Sequence, residues 1–114
     1  MSAINRNTVL AALAGHIGRE NGVRADVLVQ EITGTPPVAH YGERALRALI
    51  TDLRMEGHHI CGTPESGYFM AANAAELDRT CEFLYDRALT TLKQIARMKK
   101  IALPDLRGQM HLPT

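Results

Sequence analysis

Residues 57–71, GHHICGTPESGYFMA, hold the densest set of potential ligands in the chain: two histidines and a cysteine between positions 58 and 61. Metal binding is the chemistry such a cluster would serve. An extended strand, however, puts His59 and Cys61 on one side and His58 and Ile60 on the other, because side chains alternate across it. One strand then supplies two ligands, whereas a structural zinc site takes about four. Cys81 and one of His16, His40 or His111 would have to converge on the same point. The Pro-Glu-Ser-Gly segment between HHICG and GYFMA carries turn chemistry, so the stretch is read as a β-hairpin holding neither metal nor cofactor. Catalytic residues are not expected either. The chain has no nucleophile elbow, no phosphate-cradling glycine loop and no His-Glu-x-x-His pair. Asp52 and Glu56, one helical turn apart, read as part of a solvated face beside Arg47 and Arg54.

Recognition chemistry has more to work with. Arg44, Arg47, Thr51 and Arg54 are spaced three, four and three apart, which aligns them on one helical face. Leu46, Leu49, Ile50 and Leu53 occupy the neighbouring sector and read as its buried stripe. Guanidinium groups on an exposed helix can reach phosphates or the O6/N7 edge of guanine, and a threonine can meet a base or a thymine methyl. His40 and Ser66 are expected as secondary contacts. The 114 residues carry 13 basic and 12 acidic side chains. No global field therefore draws in nucleic acid, and the attraction must be local.

These groups need elements to position them. The segment TVLAALAGHIGREN, preceded by Asn5 and Asn7, predicts a first helix with Val9, Leu10, Leu13 and Ile17 inward and Gly22 at its end. VRADVLVQEITG predicts a second, with Val27, Leu28 and Ile32 inward and Gly34 as its stop; Val23 is placed to make one short extended bridge. Pro36 and Pro37 then interrupt regular structure. The third helix is GERALRALITDLRMEG, closed by Gly57. After the hairpin, Asn73 caps a last helix with Glu76 three residues on, a capping-box variant. That helix runs about 27 residues without Gly or Pro, roughly 40 Å. Its acidic residues gather early and Lys93, Arg97, Lys99 and Lys100 late, as the helix dipole favours.

The order helix, helix, helix, hairpin, long helix is mainly α with a small β-hairpin. The stretch LITDLRMEGHHICGTPESGYFMA resembles the recognition helix and wing of biotin-repressor-type winged helix-turn-helix domains. There a glycine ends the helix, an isoleucine enters the first wing strand and a Gly-Tyr-x-apolar unit enters the second; here these are Gly57, Ile60, Gly67, Tyr68 and Met70. The resemblance covers roughly residues 5–72, and the whole chain is similar to small bacterial or prophage proteins. It implies a winged-helix domain over 1–72, a long helix over 73–102 and an irregular tail over 103–114. It also implies binding of double-stranded DNA, as a transcriptional regulator or a prophage-encoded factor. Two features run against that function. The wing tip TPESG offers Glu65 and no base, and the joint between the second and third helices exceeds the usual 3–4 residues.

A helix near 40 Å outruns a core about 30 Å across, leaving Leu92, Ile95, Met98 and Ile101 in need of cover. A second chain in a homodimer is the expected cover, ahead of a tail folded back through Leu103, Leu106 and Leu112 within one chain. The alternative to DNA binding is a protein-interaction adaptor, with Lys93, Arg97, Lys99, Lys100 and Arg107 docking an acidic partner. No apolar run reaches the roughly 18 residues of a membrane span. The opening MSAINRNTVLAALAG lacks the pattern of a signal peptide, so a cytoplasmic protein with reduced Cys61 and Cys81 is expected.

Overall fold

The computed structural model describes residues 3–35 and 42–100. Its elements are α1 (Arg6–Leu13), a 3₁₀ turn (Arg19–Asn21), α2 (Ala25–Thr33), α3 (Glu43–Met55), strands β1 (Ile60–Thr63) and β2 (Gly67–Met70), and α4 (Ala74–Lys99). The protein is mainly helical, with a two-stranded antiparallel hairpin and a long C-terminal helix. No helix among the described residues is long and apolar enough to cross a membrane. The chain separates into two compact units, Met1–Thr80 and Cys81–Thr114.

In the first unit, α1 starts where its cap dictates. The Asn5 side chain accepts the Thr8 N–H at 3.0 Å, and the Thr8 hydroxyl accepts the Asn5 N–H at 3.0 Å, a closed capping box. Val9 and Leu13 are buried as their spacing predicts. Ile17 is not: the helix ends at Leu13, and Ile17 is 54% exposed. The cause is competition for the backbone. His16 O accepts the Met70 N–H at 2.8 Å and Gly18 N–H donates to Met70 O at 2.9 Å, so this segment bridges β2 instead of continuing the helix.

Helix α2 buries Leu28, Val29 and Ile32 and stops at Gly34, whose φ of 74° is the left-handed C-cap geometry. Val29 takes an inward place that Val27, only half-buried, was expected to hold. Helix α3 buries Leu46, Ile50 and Leu53 completely, with Leu49 half-buried at the margin. Each such aliphatic side chain taken out of water stabilises the fold by about 1.5–3 kcal/mol. Together with Val9, Leu13, Val23 and Ile60 these residues form one continuous core.

In the hairpin Ile60 pairs with Met70, Cys61 with Phe69, Gly62 with Tyr68 and Thr63 with Gly67. Side-chain alternation puts Ile60, Tyr68 and Met70 on the core face, the anchoring role expected of them. The opposite face is buried too, through Cys61 and Phe69. Cys61 is therefore an anchor in its own right rather than a bystander. Its thiol lies 3.7 Å from Glu76 O, and Gly62 N–H donates to the Thr80 hydroxyl at 3.3 Å. The first turns of α4 thus cover the side of β1 that the core does not. The expected bridge at Val23 is present: its N–H and C=O both pair with Tyr68 at 2.8 Å, giving β2 a second hydrogen-bonded edge.

Gly22 closes the 3₁₀ turn instead of α1, its N–H donating to Arg19 O, and it permits a close approach. A Cβ there would lie 1.9 Å from Ser66 O. Gly67 meets the same contact from the other side, with φ of 71° and a would-be Cβ 2.6 Å from the Val23 carbonyl.

In the second unit the described residues continue α4. Ala96 is buried, Phe83, Leu89, Leu92 and Ile95 are half-buried, and Cys81, Leu84, Tyr85, Ala88 and Met98 are exposed. The Arg87 guanidinium sits over the Phe83 ring, 5.6 Å from its centroid.

Candidate nucleic-acid interface

Because α3 turns Leu46, Ile50 and Leu53 fully inward, its other side must face solvent. Arg44, Arg47 and Thr51 share one sector there, and exposed Ala48, Asp52 and Ala45 continue the face beyond Arg44. Arg47 stands 3.7 Å from Glu43 one turn earlier and remains largely exposed. The Thr51 hydroxyl donates to Arg47 O at 3.0 Å, which leaves its methyl group and oxygen lone pairs outward. Met55 closes this face.

Arg54 sits differently from the rest of its predicted set. Its Nε donates to Ile60 O at 2.7 Å, and the side chain is half-buried. That bond ties the end of α3 to the first residue of β1, so Arg54 sets the angle between helix and hairpin. Ser66 is likewise engaged. Its hydroxyl accepts the Thr63 N–H at 3.1 Å and donates to Gly67 O at 2.9 Å, while its own N–H donates to the Thr63 hydroxyl at 3.2 Å. This side chain locks the turn. Glu65 at the tip is exposed and lies 3.9 Å from Arg19. His40 and Ile101 lie outside the described residues.

The three potential ligands of the hairpin go to separate places. His58 is half-buried, 3.5 Å from the Arg6 guanidinium; His59 is exposed; Cys61 is buried beneath α4. Among the described residues no three His, Cys, Asp or Glu side chains gather as a metal would require.

Several side chains that hold this arrangement together carry no motif. Arg6 at the start of α1 pairs with Glu56 just past α3, and this guanidinium holds the Glu56 carboxyl below its ordinary range. His16 is gripped between two acceptors: Nδ1 meets Asn21 O at 2.8 Å and Nε2 meets the Glu31 carboxylate at 2.8 Å. A neutral imidazole has one N–H and can donate to only one of them, so the cation fits best. The Glu31 hydrogen bond accordingly raises the His16 pKa, against a smaller opposing effect of burial.

Glu76 was legible as a helix-capping residue, and Asn73 Oδ1 does accept its N–H at 3.0 Å. Its carboxylate does more than cap. It accepts the Ala72 N–H at 2.9 Å and the Arg19 N–H at 3.0 Å, pinning the 3₁₀ turn to the start of α4. Those two backbone donors, Ala72 first, lower its pKa. Nothing in the local sequence pattern marks Arg19 as the partner, because the contact spans 57 positions.

Of the residues expected to mediate association, Leu92 and Ile95 are half-buried and Met98 is 76% exposed. Lys93, Arg97, Lys99 and Lys100 are all exposed. No protein-family model matches the chain, and comparisons with curated proteins and with solved structures find no match.

Proposed function

We propose that the protein is a winged helix-turn-helix DNA-binding protein, a transcriptional regulator or prophage-encoded factor that acts as a homodimer on duplex DNA. The observation that carries this reading is the outer face of α3, where Arg44, Arg47 and Thr51 stand exposed within one sector about 60° wide. A helix about 10–12 Å wide fills a major groove about 12 Å wide, so a cationic sector on its exposed side can reach the base edges and the phosphates beside them. Arg44 and Arg47 would meet phosphate or guanine, and Thr51 a base edge or a thymine methyl. Arg54 keeps the wing in place beside them, and Ser66 keeps the wing's turn closed. A hairpin bridged on its second edge by Ile17 and Val23 suits a wing that must hold its angle.

The test is a titration of labelled mixed-sequence duplex against the full chain at low and moderate salt. Binding should weaken linearly on a log–log plot as salt rises. Arg44→Ala and Arg47→Ala should each reduce the slope by about 0.9 for every phosphate no longer neutralised. Absence of binding by the wild-type protein at low salt overturns the proposal.

One observation favours a second reading, an interaction adaptor: Lys93, Arg97, Lys99 and Lys100 are all exposed over the last turns of α4 and just beyond. An acidic partner would dock there. Capture that survives loss of Arg44 and Arg47 but fails after charge reversal at Lys93 and Arg97 would select it.

A further inference from the structure

Residues 14–23, between α1 and α2, support β2 along its second edge. His16 O accepts the Met70 N–H, Gly18 N–H donates to Met70 O, and Val23 pairs with Tyr68 in both directions. The 3₁₀ turn in the middle is closed by Asn21 N–H to Gly18 O at 3.0 Å and Gly22 N–H to Arg19 O at 3.1 Å. The Asn21 side-chain amide adds a bond to Ile17 O at 2.8 Å. From this turn the His16 ring reaches across to α2. Its Nδ1 lies 2.8 Å from Asn21 O, and its Nε2 lies 2.8 Å from the Glu31 carboxylate.

Both ring nitrogens thus face acceptors. With a proton on each nitrogen the ring donates to both. With one proton, the bare nitrogen would hold its lone pair 2.8 Å from an oxygen lone pair, and that contact has to open. The acceptors decide which one opens. A hydrogen bond to a carboxylate is roughly twice as strong as one to a neutral carbonyl, so the remaining proton stays on Nε2 toward Glu31. Asn21 O is the acceptor that loses its donor. Among the described residues Glu31 is the charged group facing the ring. The one charged side chain of α1, Arg6, is held by Glu56, and β2 meets this segment through backbone groups. Arg19 and Glu20 of the turn line a separate cleft with Glu65 and Glu76.

We propose that His16 is a proton-operated latch: with both nitrogens protonated it fastens the Arg19–Asn21 turn to α2, and on losing the Nδ1 proton it keeps Glu31 and releases the turn. The direction of the His16 pKa agrees, since the Glu31 hydrogen bond raises it against the effect of burial. The latch is closed below the ordinary value of 6.5 and opens as pH rises through the folded value. The released stretch is short. Glu76 still holds the Arg19 N–H at 3.0 Å and Tyr68 still holds Val23, so the freedom gained falls on residues 20–22. Those residues pack on the turn of the hairpin, where a Cβ at Gly22 would lie 1.9 Å from Ser66 O. The proton therefore controls how firmly the hairpin turn is backed, whether or not the hairpin contacts DNA.

Nuclear magnetic resonance on the full chain between about pH 5.5 and about pH 8.5 tests this. Ring nitrogen shifts of His16 should show both nitrogens protonated at the acid end and the Nε2–H tautomer at the basic end. Amide exchange at Asn21 and Gly22, corrected for its intrinsic pH dependence, should quicken by about twofold to tenfold across the titration, the scale of one hydrogen bond. The Ser66 amide shift should titrate with the His16 midpoint. Glu31→Gln should lower that midpoint and weaken the tautomer preference. An Nδ1–H tautomer at the basic end, or unchanged exchange at Asn21 and Gly22, would overturn the proposal. Equal quickening of the core amides of α3 would overturn it too, because the proton would then act on the whole fold and not on the turn.

Discussion

Helix α3 and residues 81–99 of α4 use similar ingredients: a stripe of aliphatic side chains, basic residues beside it and a few carboxylates. They end in different conditions. In α3, Leu46, Ile50 and Leu53 are shut off from solvent almost entirely, and the charges are arranged around the helix. In α4, Leu84, Tyr85 and Met98 remain exposed and the charges are arranged along it, acidic before basic. A stripe closed off by the chain's own core leaves the opposite face free for recognition. The two proposed contacts follow that difference: duplex DNA at the polar side of α3, and a partner at the apolar side of α4.

The largest expected effect tests that contrast directly. Leu53→Ala should destabilise the protein by about 2–5 kcal/mol in chemical denaturation, since its site is fully enclosed. Leu84→Ala, at an exposed position, should leave the monomer's stability within about 0.5 kcal/mol and act on the dimer instead. Equal losses at the two positions would break the distinction.

Next in size comes the division among the arginines of α3. Removing Arg44 and Arg47 together should weaken duplex binding by at least about tenfold, the scale of one to two charged hydrogen bonds, with the melting temperature unchanged. Arg54→Ala should do the reverse in part and lower the melting temperature, because it frees the Ile60 carbonyl from its 2.7 Å donor. A smaller effect is expected at the start of α4, where Asn73→Ala removes the acceptor for Glu76 N–H and should cost about 1 kcal/mol.

The smallest is pH-dependent. The His16 pKa is raised in the folded state, so its contribution is complete below the ordinary value of 6.5 and is lost as pH rises through the folded value. The melting temperature should fall slightly from pH 6 to pH 8, by under about 1 kcal/mol in stability given the partial exposure of Glu31. Glu31→Gln should flatten that slope. A slope of opposite sign would mean that His16 is neutral in the folded state and lacks the second hydrogen bond.

Much of the fold was legible. Asn73 and Glu76, Gly34 and the buried positions of α3 follow from local rules, because caps, stops and stripes depend on residues within a turn or two of each other; the extended stretch at Val23 was legible too, but not its partner Tyr68. The errors share a cause. Ile17 has helical spacing, yet its neighbours' backbone groups pair with Met70. Gly22 looks like the stop of α1, yet it closes the 3₁₀ turn and leaves room for the Ser66 carbonyl. Cys61 looks incidental, yet α4 returns to cover it. In each case the deciding partner lies well beyond a helical turn along the chain, where periodicity carries no information. The candidate site was legible as an arginine face, but the division between Arg44 and Arg47, which face outward, and Arg54, which holds β1, was not.

The sequence by itself determined which segments coil, which residues cap or stop them at Asn73 and Gly34, and which face of each is apolar, since these follow from side-chain chemistry over a few residues. Only the tertiary structure decided which apolar faces are enclosed, which carboxylates are occupied by backbone donors and which arginines keep their guanidinium groups for a partner. Those outcomes depend on which hydrogen-bonding groups and surfaces the rest of the chain brings into reach, and a one-dimensional pattern does not contain that information.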